Sequence, residues 1–417
     1  MLTKGNVARW LSTLLLAGTV AGCSGGHHHS SVKAAATGTS SPPLQPGTTG
    51  ASTTAPTTTA AADVGPVGGP VPSGFQPSSV SFVSAADGWA LGDAPCGRPP
   101  CTSVVRTVDG GRTWRGVPAP VAPFDASPGR LGTGTGVYGV RFADRRDGWA
   151  YGTQVWATHD AGATWHQVAL PGLTPGEQVE ALEATAGVVL AAVGPASGGA
   201  ITLDRSAAGT DQWSTVASSA GQAPVQLVLS GRRGWLVPTA TPPVGPGWLT
   251  TSDVTAAGGW APGRGPCAAG DQGGLLAAAP SGVVDVVCAG PAGAGQEEKP
   301  VFVAAGGTRF AAVAPAPLGG DLEAVAAPSS TSLVVAAASG ASELYLTTDG
   351  GRTWTTALQE TTGGVPFEQL GFTTPSQGVA LLGVPTAAGS PSTGIPPSVL
   401  LMSRDGGRSW APVTFGG

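Results

Sequence analysis

From about Phe75 to the C-terminus, short apolar stretches alternate with clusters of Gly, Pro and Asp. Val80-Ser81-Phe82-Val83 is followed by Asp87-Gly88-Trp89-Ala90-Leu91-Gly92. Val140-Arg141-Phe142 is likewise followed by Asp147-Gly148-Trp149-Ala150-Tyr151-Gly152. Period-two alternation bounded by turn residues predicts β-strands. A second motif trails each pair. Its first copy is Thr107-Val108-Asp109-Gly110-Gly111-Arg112-Thr113-Trp114. Close copies run from Thr158 through Asp160 to Trp165, from Thr348 through Asp349 to Trp354, and from Ser403 through Asp405 to Trp410. Asp-Gly-Gly between strands is a hairpin signal. The carboxylate can accept backbone N–H groups of its own turn, and glycine supplies positive φ at little cost. The following Thr or Ser adds a local hydrogen bond, and the Trp opens the next strand with a large ring to bury. One unit therefore reads strand, Asp-Gly turn, Trp-bearing strand, strand, Asp turn, strand.

Later copies decay but keep phase. The third has Val179 to Ala184, Val188-Val189-Leu190, and Ser206 to Trp213 where the Asp turn belongs. The fourth has Leu227-Val228-Leu229, Gly234-Trp235-Leu236, Ser252-Asp253 and Trp260; the fifth has Val283 to Val287 and Val301-Phe302-Val303 with no Asp turn. The sixth and seventh regain it at Asp349 and Asp405. Residues 75–417 divided by seven leave about 49 per unit, within the repeat period of propeller blades. The predicted fold is all-β, a seven-bladed β-propeller with four-stranded antiparallel blades. Ring closure removes sheet edges. The last blade closes either by itself or with a strand from Val64 to Val71.

The turn motif resembles the Asp-box, or BNR, repeat of sialidases, sortilin-type receptors and photosystem II assembly factor-like propellers. The resemblance implies a fold-stabilising hairpin set away from the ligand site. It makes Asp109, Trp114, Asp160, Trp165, Asp349, Trp354, Asp405 and Trp410 structural.

Ahead of the repeats, Lys4 and Arg9 precede an apolar stretch from Trp10 to Val20, which ends in Val20-Ala21-Gly22-Cys23. The stretch is too short for a membrane span and fits a secretory segment. Its end resembles the lipobox of bacterial lipoproteins, which implies cleavage before Cys23 and a lipid on its sulfur. Residues 24 to about 74 are dominated by Ser, Thr, Pro, Gly and Ala, a composition too poor in core formers to order itself. The expected organisation is residues 1–22 as lipoprotein signal peptide, 23–74 as lipidated Cys and linker, and 75–417 as propeller. His27, His28 and His29 read as a polar patch of the tether.

The chain has 417 residues, 67 of them Gly, and only 11% are charged. A net charge of -5 argues against nucleic acid, which selects a basic face. With Cys23 lipidated, four cysteines remain. Cys96 and Cys101 bracket a tight loop, and Cys267 and Cys288 sit at two strand-like positions of the fifth blade. Export favours two disulfides over free thiols or a metal site.

Catalytic chemistry is thinly supplied. The resemblance to sialidases implies an arginine triad, a Tyr nucleophile with a Glu partner and an Asp acid/base. No Arg-Ile-Pro-like motif occurs, and the tyrosines are only Tyr138, Tyr151 and Tyr345. A two-carboxylate glycosidase needs two acids about 5–10 Å apart. The candidates are Glu177, Glu180, Glu183, Glu323, Glu343, Glu360 and Glu368, of which Glu180, Glu183 and Glu323 fall on first strands that would line the channel. Glu177, Glu180 and Glu183 also have helical spacing, so a short solvent-facing helix stays open. His159 and His166 flank one Asp turn and read as peripheral. Arginines concentrate in the first two blades, and Arg141, Arg145 and Arg146 are the candidate interface.

The sequence thus predicts an exported, membrane-anchored, non-catalytic propeller. It would be a monomer binding an envelope protein or a glycan, as assembly factor or receptor, with no cofactor and no metal. The alternative is a carbohydrate-binding or glycosidase propeller.

Overall fold

The computed structural model describes residues 65–416, apart from 98–100, 126–133, 186, 196, 220–223, 240–247, 257, 306–308, 362 and 384–396. Cys23 and the histidines at 27–29 lie outside the described residues, as do Arg98 and Arg130.

Seven four-stranded antiparallel sheets follow one another along the chain, each built from consecutive strands except the fifth, where a two-stranded hairpin intervenes between its second and third strands. The first strands are Gln76–Phe82, Val137–Phe142, Glu177–Thr185, Val225–Ser230, Gly273–Ala278, Asp321–Ser329 and Phe367–Phe372. These strands adjoin one another from blade to blade, so they stand nearest the axis of a seven-bladed β-propeller. Glu177, Glu180 and Glu183 lie on one of them, which sets aside the helical reading. Among the described residues there is no helix, hence none long and apolar enough to cross a membrane.

The core lies between blades. Seven buried apolar clusters occupy the seven seams. Second strands are buried on both sides, so period-two alternation sends successive side chains to opposite seams. In Val188–Pro195, Val188, Leu190 and Ala192 face blade 4, while Val189, Ala191 and Val193 face blade 2. The Gly of each Asp-Gly or Gln-Gly pair has a packing role here. A Cβ on Gly88, Gly148 or Gly378 would come within 2.6 Å of the ring of Phe82, Phe142 or Phe372. Each of these rings meets the Trp that opens the fourth strand edge-on: Phe82 with Trp114, Phe142 with Trp165 and Phe372 with Trp410.

The ring closes without strand exchange. Blade 7 supplies all four of its own strands. Across the closing seam, Gln369 Oε1 accepts Val80 N at 2.9 Å and Gln369 Nε2 donates to Val80 O at 2.8 Å. Phe415 packs on Phe75 and Trp114. The segment preceding blade 1 instead runs along that blade's outer strand, where Gly69 and Gly116 exchange both backbone hydrogen bonds.

Both cysteine pairs are disulfides, Cys96–Cys101 and Cys267–Cys288. One expectation needs correcting. Cys288 is in a strand of blade 5, but Cys267 lies in the connection before that blade, where its sulfur covers Gly274. The bridge therefore ties an inter-blade connection to a strand. Blade 5 also carries an inserted hairpin, Ala292–Gly293 with Gln296–Glu297. Buried Lys299 fixes it: its ammonium shares three N–H groups among the carbonyls of Glu297, Pro317, Leu318, Gly319 and Gly320, all within hydrogen-bond distance.

Candidate functional site

Each blade has two ends. One carries the turn between the first two strands together with the Asp turn. The other carries the connections to the next blade.

At the first end, four turns share one hydrogen-bond pattern. Asp109 Oδ1 accepts Thr107 Oγ1, Arg112 N and Thr113 N at 2.8, 3.0 and 2.9 Å, and Oδ2 accepts Thr113 Oγ1 at 2.6 Å. Asp160, Asp349 and Asp405 repeat the core of this arrangement. Gly110 and Gly111 have φ of 74° and 79°, and Ala161 takes the corresponding positive φ of 65° without glycine's freedom. Burial raises the Asp109 pKa, but hydrogen bonds from Thr113, Thr107 and Arg112 outweigh it and hold the carboxyl below its ordinary value. With their acceptor capacity spent on their own turns, these carboxylates offer little to a ligand.

The arginines of the same end are also engaged. Arg141 Nη2 is 2.6 Å from Glu183 Oε1 across the seam to blade 3, and Arg145 Nη2 is 3.1 Å from Asp87. Arg146 is exposed, with its Nε donating to His159 O. His159 belongs to a larger cluster. Its Nδ1 lies 2.7 Å from Asp147 Oδ1, and its Nε2 lies 2.9 Å from Asp211 Oδ2. His166 Nε2 reaches the same Asp211 oxygen at 2.8 Å. Burial lowers the His159 pKa, but hydrogen bonds and charges of Asp211 and Asp147 outweigh it and raise the pKa overall.

At the opposite end, the axial strands carry a recurring irregularity. A β-bulge interrupts the pairing of the first two strands in blades 1, 2, 3, 6 and 7. The unpaired residue is Ser78, Tyr138, Glu180, Glu323 or Glu368 in turn. A bulge breaks alternation and re-aims a side chain; Tyr138 still packs in the seam of blades 2 and 3, against Tyr151. Glu323 and Glu368 come close enough to couple. Burial first, then the charges of Glu368, Asp321 and Glu297, push the Glu323 carboxyl up to about 7. Glu180 is likewise raised by burial, and its charge acts on Tyr138. The sequence grouped Glu323 with Glu180 and Glu183; the structure brings it to Glu368, while Glu183 is taken up by Arg141.

Beside the bulge at Glu180, between blades 2 and 3, lies a groove of about 730 Å³. Val155, Val168, Leu170 and Leu173 supply apolar surface; Gln154, Gln167 and Gln178 supply amides; Asp125 and Glu177 supply carboxylates. The groove was not legible in the sequence, because the connection between blades that shapes it carries no periodic signal.

Burial raises the pKa of all three tyrosines. Tyr138 donates its OH to Val179 O, and burial raises its pKa well above the ordinary value. Tyr345 donates its OH to Glu343, and burial first, then that carboxylate, raise its pKa.

No protein-family model and no curated protein matches the chain. Solved structures do share its fold. The chain superimposes on YCF48 bound to D1 peptide with a TM-score of 0.52 at 18% identity, covering 80% of this chain and 95% of that one. It superimposes on puromycin hydrolase complexed with PGG, an S511A mutant, with a TM-score of 0.52 at 15% identity, covering 81% of this chain but only 53% of that one. These likenesses establish the propeller fold.

Proposed function

We propose that this chain is an exported, lipid-anchored, non-catalytic propeller that holds a protein partner at the cell envelope. The partner would bind the end of the blades that carries the inter-blade connections. Anchoring rests on Val20-Ala21-Gly22-Cys23 behind its short apolar stretch, and reach on the Ser/Thr/Pro-rich tether. The groove between blades 2 and 3 carries the binding reading. Its floor accepts apolar side chains, and Gln154 and Gln167 can pair the backbone of an extended peptide. YCF48, which shares the fold, holds a D1 peptide. Asp125 and Glu177 in the groove, with Glu180 hydrogen-bonded to its Gln178, select a partner segment bearing Lys or Arg.

Capture of partners from cells tests this. Glu177→Lys should cut partner yield at least about fivefold by charge reversal. Arg146→Glu, at the other end, should leave it unchanged. If Arg146→Glu abolished capture and Glu177→Lys did not, the interface would lie with Arg141, Arg145 and Arg146. Cys23→Ala should move the protein out of the membrane fraction; full retention there would remove the lipid anchor from the account.

One observation favours a second reading, a glycan-cleaving propeller. Glu323 holds its proton up to about pH 7 beside Glu368, the division of labour of an acid and a base. Hydrolysis of envelope polysaccharide, lost in both Glu323→Gln and Glu368→Gln, would establish it.

A further inference from the structure

The cluster at the seam of blades 2 and 3 exceeds what strand packing needs. His159 comes from the Asp turn of blade 2, His166 from the start of that blade's fourth strand, and Asp211 from the corresponding turn of blade 3. Asp211 holds a φ of 51°, unusual for a residue with a side chain. That backbone lets its Oδ1 accept Trp149 Nε1 at 3.1 Å and leaves Oδ2 facing both imidazoles. The donor atoms of His159, His166 and Asp211 all lie within 4.8 Å of one another.

The hydrogen-bond inventory of His159 makes the cluster informative. Both of its ring nitrogens face carboxylate oxygens, and an ionised carboxylate only accepts. A neutral imidazole has one N–H. A protonated imidazole donates to both oxygens; in the neutral form with Nδ1–H on Asp147, the Nε2 lone pair and the Asp211 oxygen are left to share a cation. A carboxylate on Nδ1–H with a metal on Nε2 is the usual orienting arrangement for a metal-ligating histidine. The geometry points to a transition-metal site, in which His159 Nε2, His166 Nε2 and Asp211 Oδ2 bind a divalent ion such as Zn²⁺ and Asp147 orients His159. Two imidazoles and a carboxylate suit Zn²⁺ and disfavour Mg²⁺ or Ca²⁺, which take oxygen ligands. The His166 side chain is 55% exposed, so solvent reaches the site to fill the remaining position. Blade 3 lacks the Asp-Gly-Gly turn, and the ion would clamp its substitute turn to blade 2. The other Cys/Asp grouping, Cys267, Asp271 and Cys288, is excluded because both sulfurs are in the disulfide.

The test uses the full-length chain with His27, His28 and His29 changed to Ala, which removes the other histidine cluster. Calorimetry with Zn²⁺ should give one ion per chain, and Co²⁺ should give visible ligand-field bands. His166→Ala and Asp211→Asn should each weaken Zn²⁺ binding more than tenfold and abolish the Co²⁺ bands. Asp147→Asn should keep the site but weaken it about 10–100-fold. His166 is exposed, so its variant should match the parent's melting temperature without metal and lose only the Zn²⁺-dependent rise. Absence of saturable Zn²⁺ binding, unchanged affinity in His166→Ala, or Mg²⁺ binding in preference to Zn²⁺ would each overturn the site.

Discussion

Blades 1, 2, 6 and 7 end their third strands in an Asp turn that satisfies itself within eight residues. Blades 3, 4 and 5 reach the same four-stranded sheet without a full copy. Blade 4 keeps a remnant, in which Asp253 accepts the N and Oγ1 of Thr255 and pairs with Arg232. Blade 3 ties its turn to blade 2 through Asp211. Blade 5 uses a disulfide and a buried ammonium. The blade is thus specified by its seams, which all seven share. The Asp turn is one local way of finishing it, and longer-range bonds replace it where it is lost.

The sharpest break of this comparison is in blade 5. Lys299→Met removes the one donor common to five carbonyls and should cost about 3 kcal/mol or more, since buried acceptors left unmade are expensive. Chemical denaturation would show it; a loss no larger than that of an exposed substitution would mean the cage is incidental. Next comes the bridge. Paired Cys267→Ser and Cys288→Ser should cost about 3 kcal/mol on the chain-entropy model. The local turn should matter less. Thr158→Val deletes the buried hydroxyl that accepts Gly162 N and donates to Asp160, at about 1–2 kcal/mol. If it cost more than the disulfide, the turns rather than the seams would govern the fold.

The last comparison is in pH dependence, and the two kinds of blade differ in sign. Asp109, Asp160, Asp349 and Asp405 have depressed pKa values when folded, so their contribution is present above about pH 4 and lost as pH falls. Buried Asp285 of blade 5 behaves oppositely, its carboxyl pushed up to about 7 by burial. The folded state holds that proton more tightly than the unfolded chain, so stability falls as pH rises from about 4 to 7. Asp285→Asn should flatten that part of the melting-temperature profile; an unchanged slope would assign it to Glu323, which is raised to about 7 as well.

Much of the architecture was legible because it is periodic. The apolar alternation and the recurring Trp after a turn gave the blade count and the four-strand order. Other features depend on contacts remote in sequence. Gly88 reads as a turn glycine but is required by the ring of Phe82 lying over it. The bulges at Tyr138, Glu180, Glu323 and Glu368 leave no local trace, because one unpaired residue is visible only against the partner strand. His159 and His166 looked peripheral from their place around one turn. The partner that brings them together, Asp211, comes from the next blade, 45 residues beyond His166.

The most direct test of the account asks which end of the propeller meets a partner. A photo-cross-linking residue placed in cells at Thr174, beside the groove, would be compared with one at Val108 in an Asp turn, each in the chain with Cys23 and with Cys23→Ala. The account predicts that Thr174 captures one protein, only in the chain that retains Cys23, and that Val108 captures none. Capture from Val108 alone would contradict it.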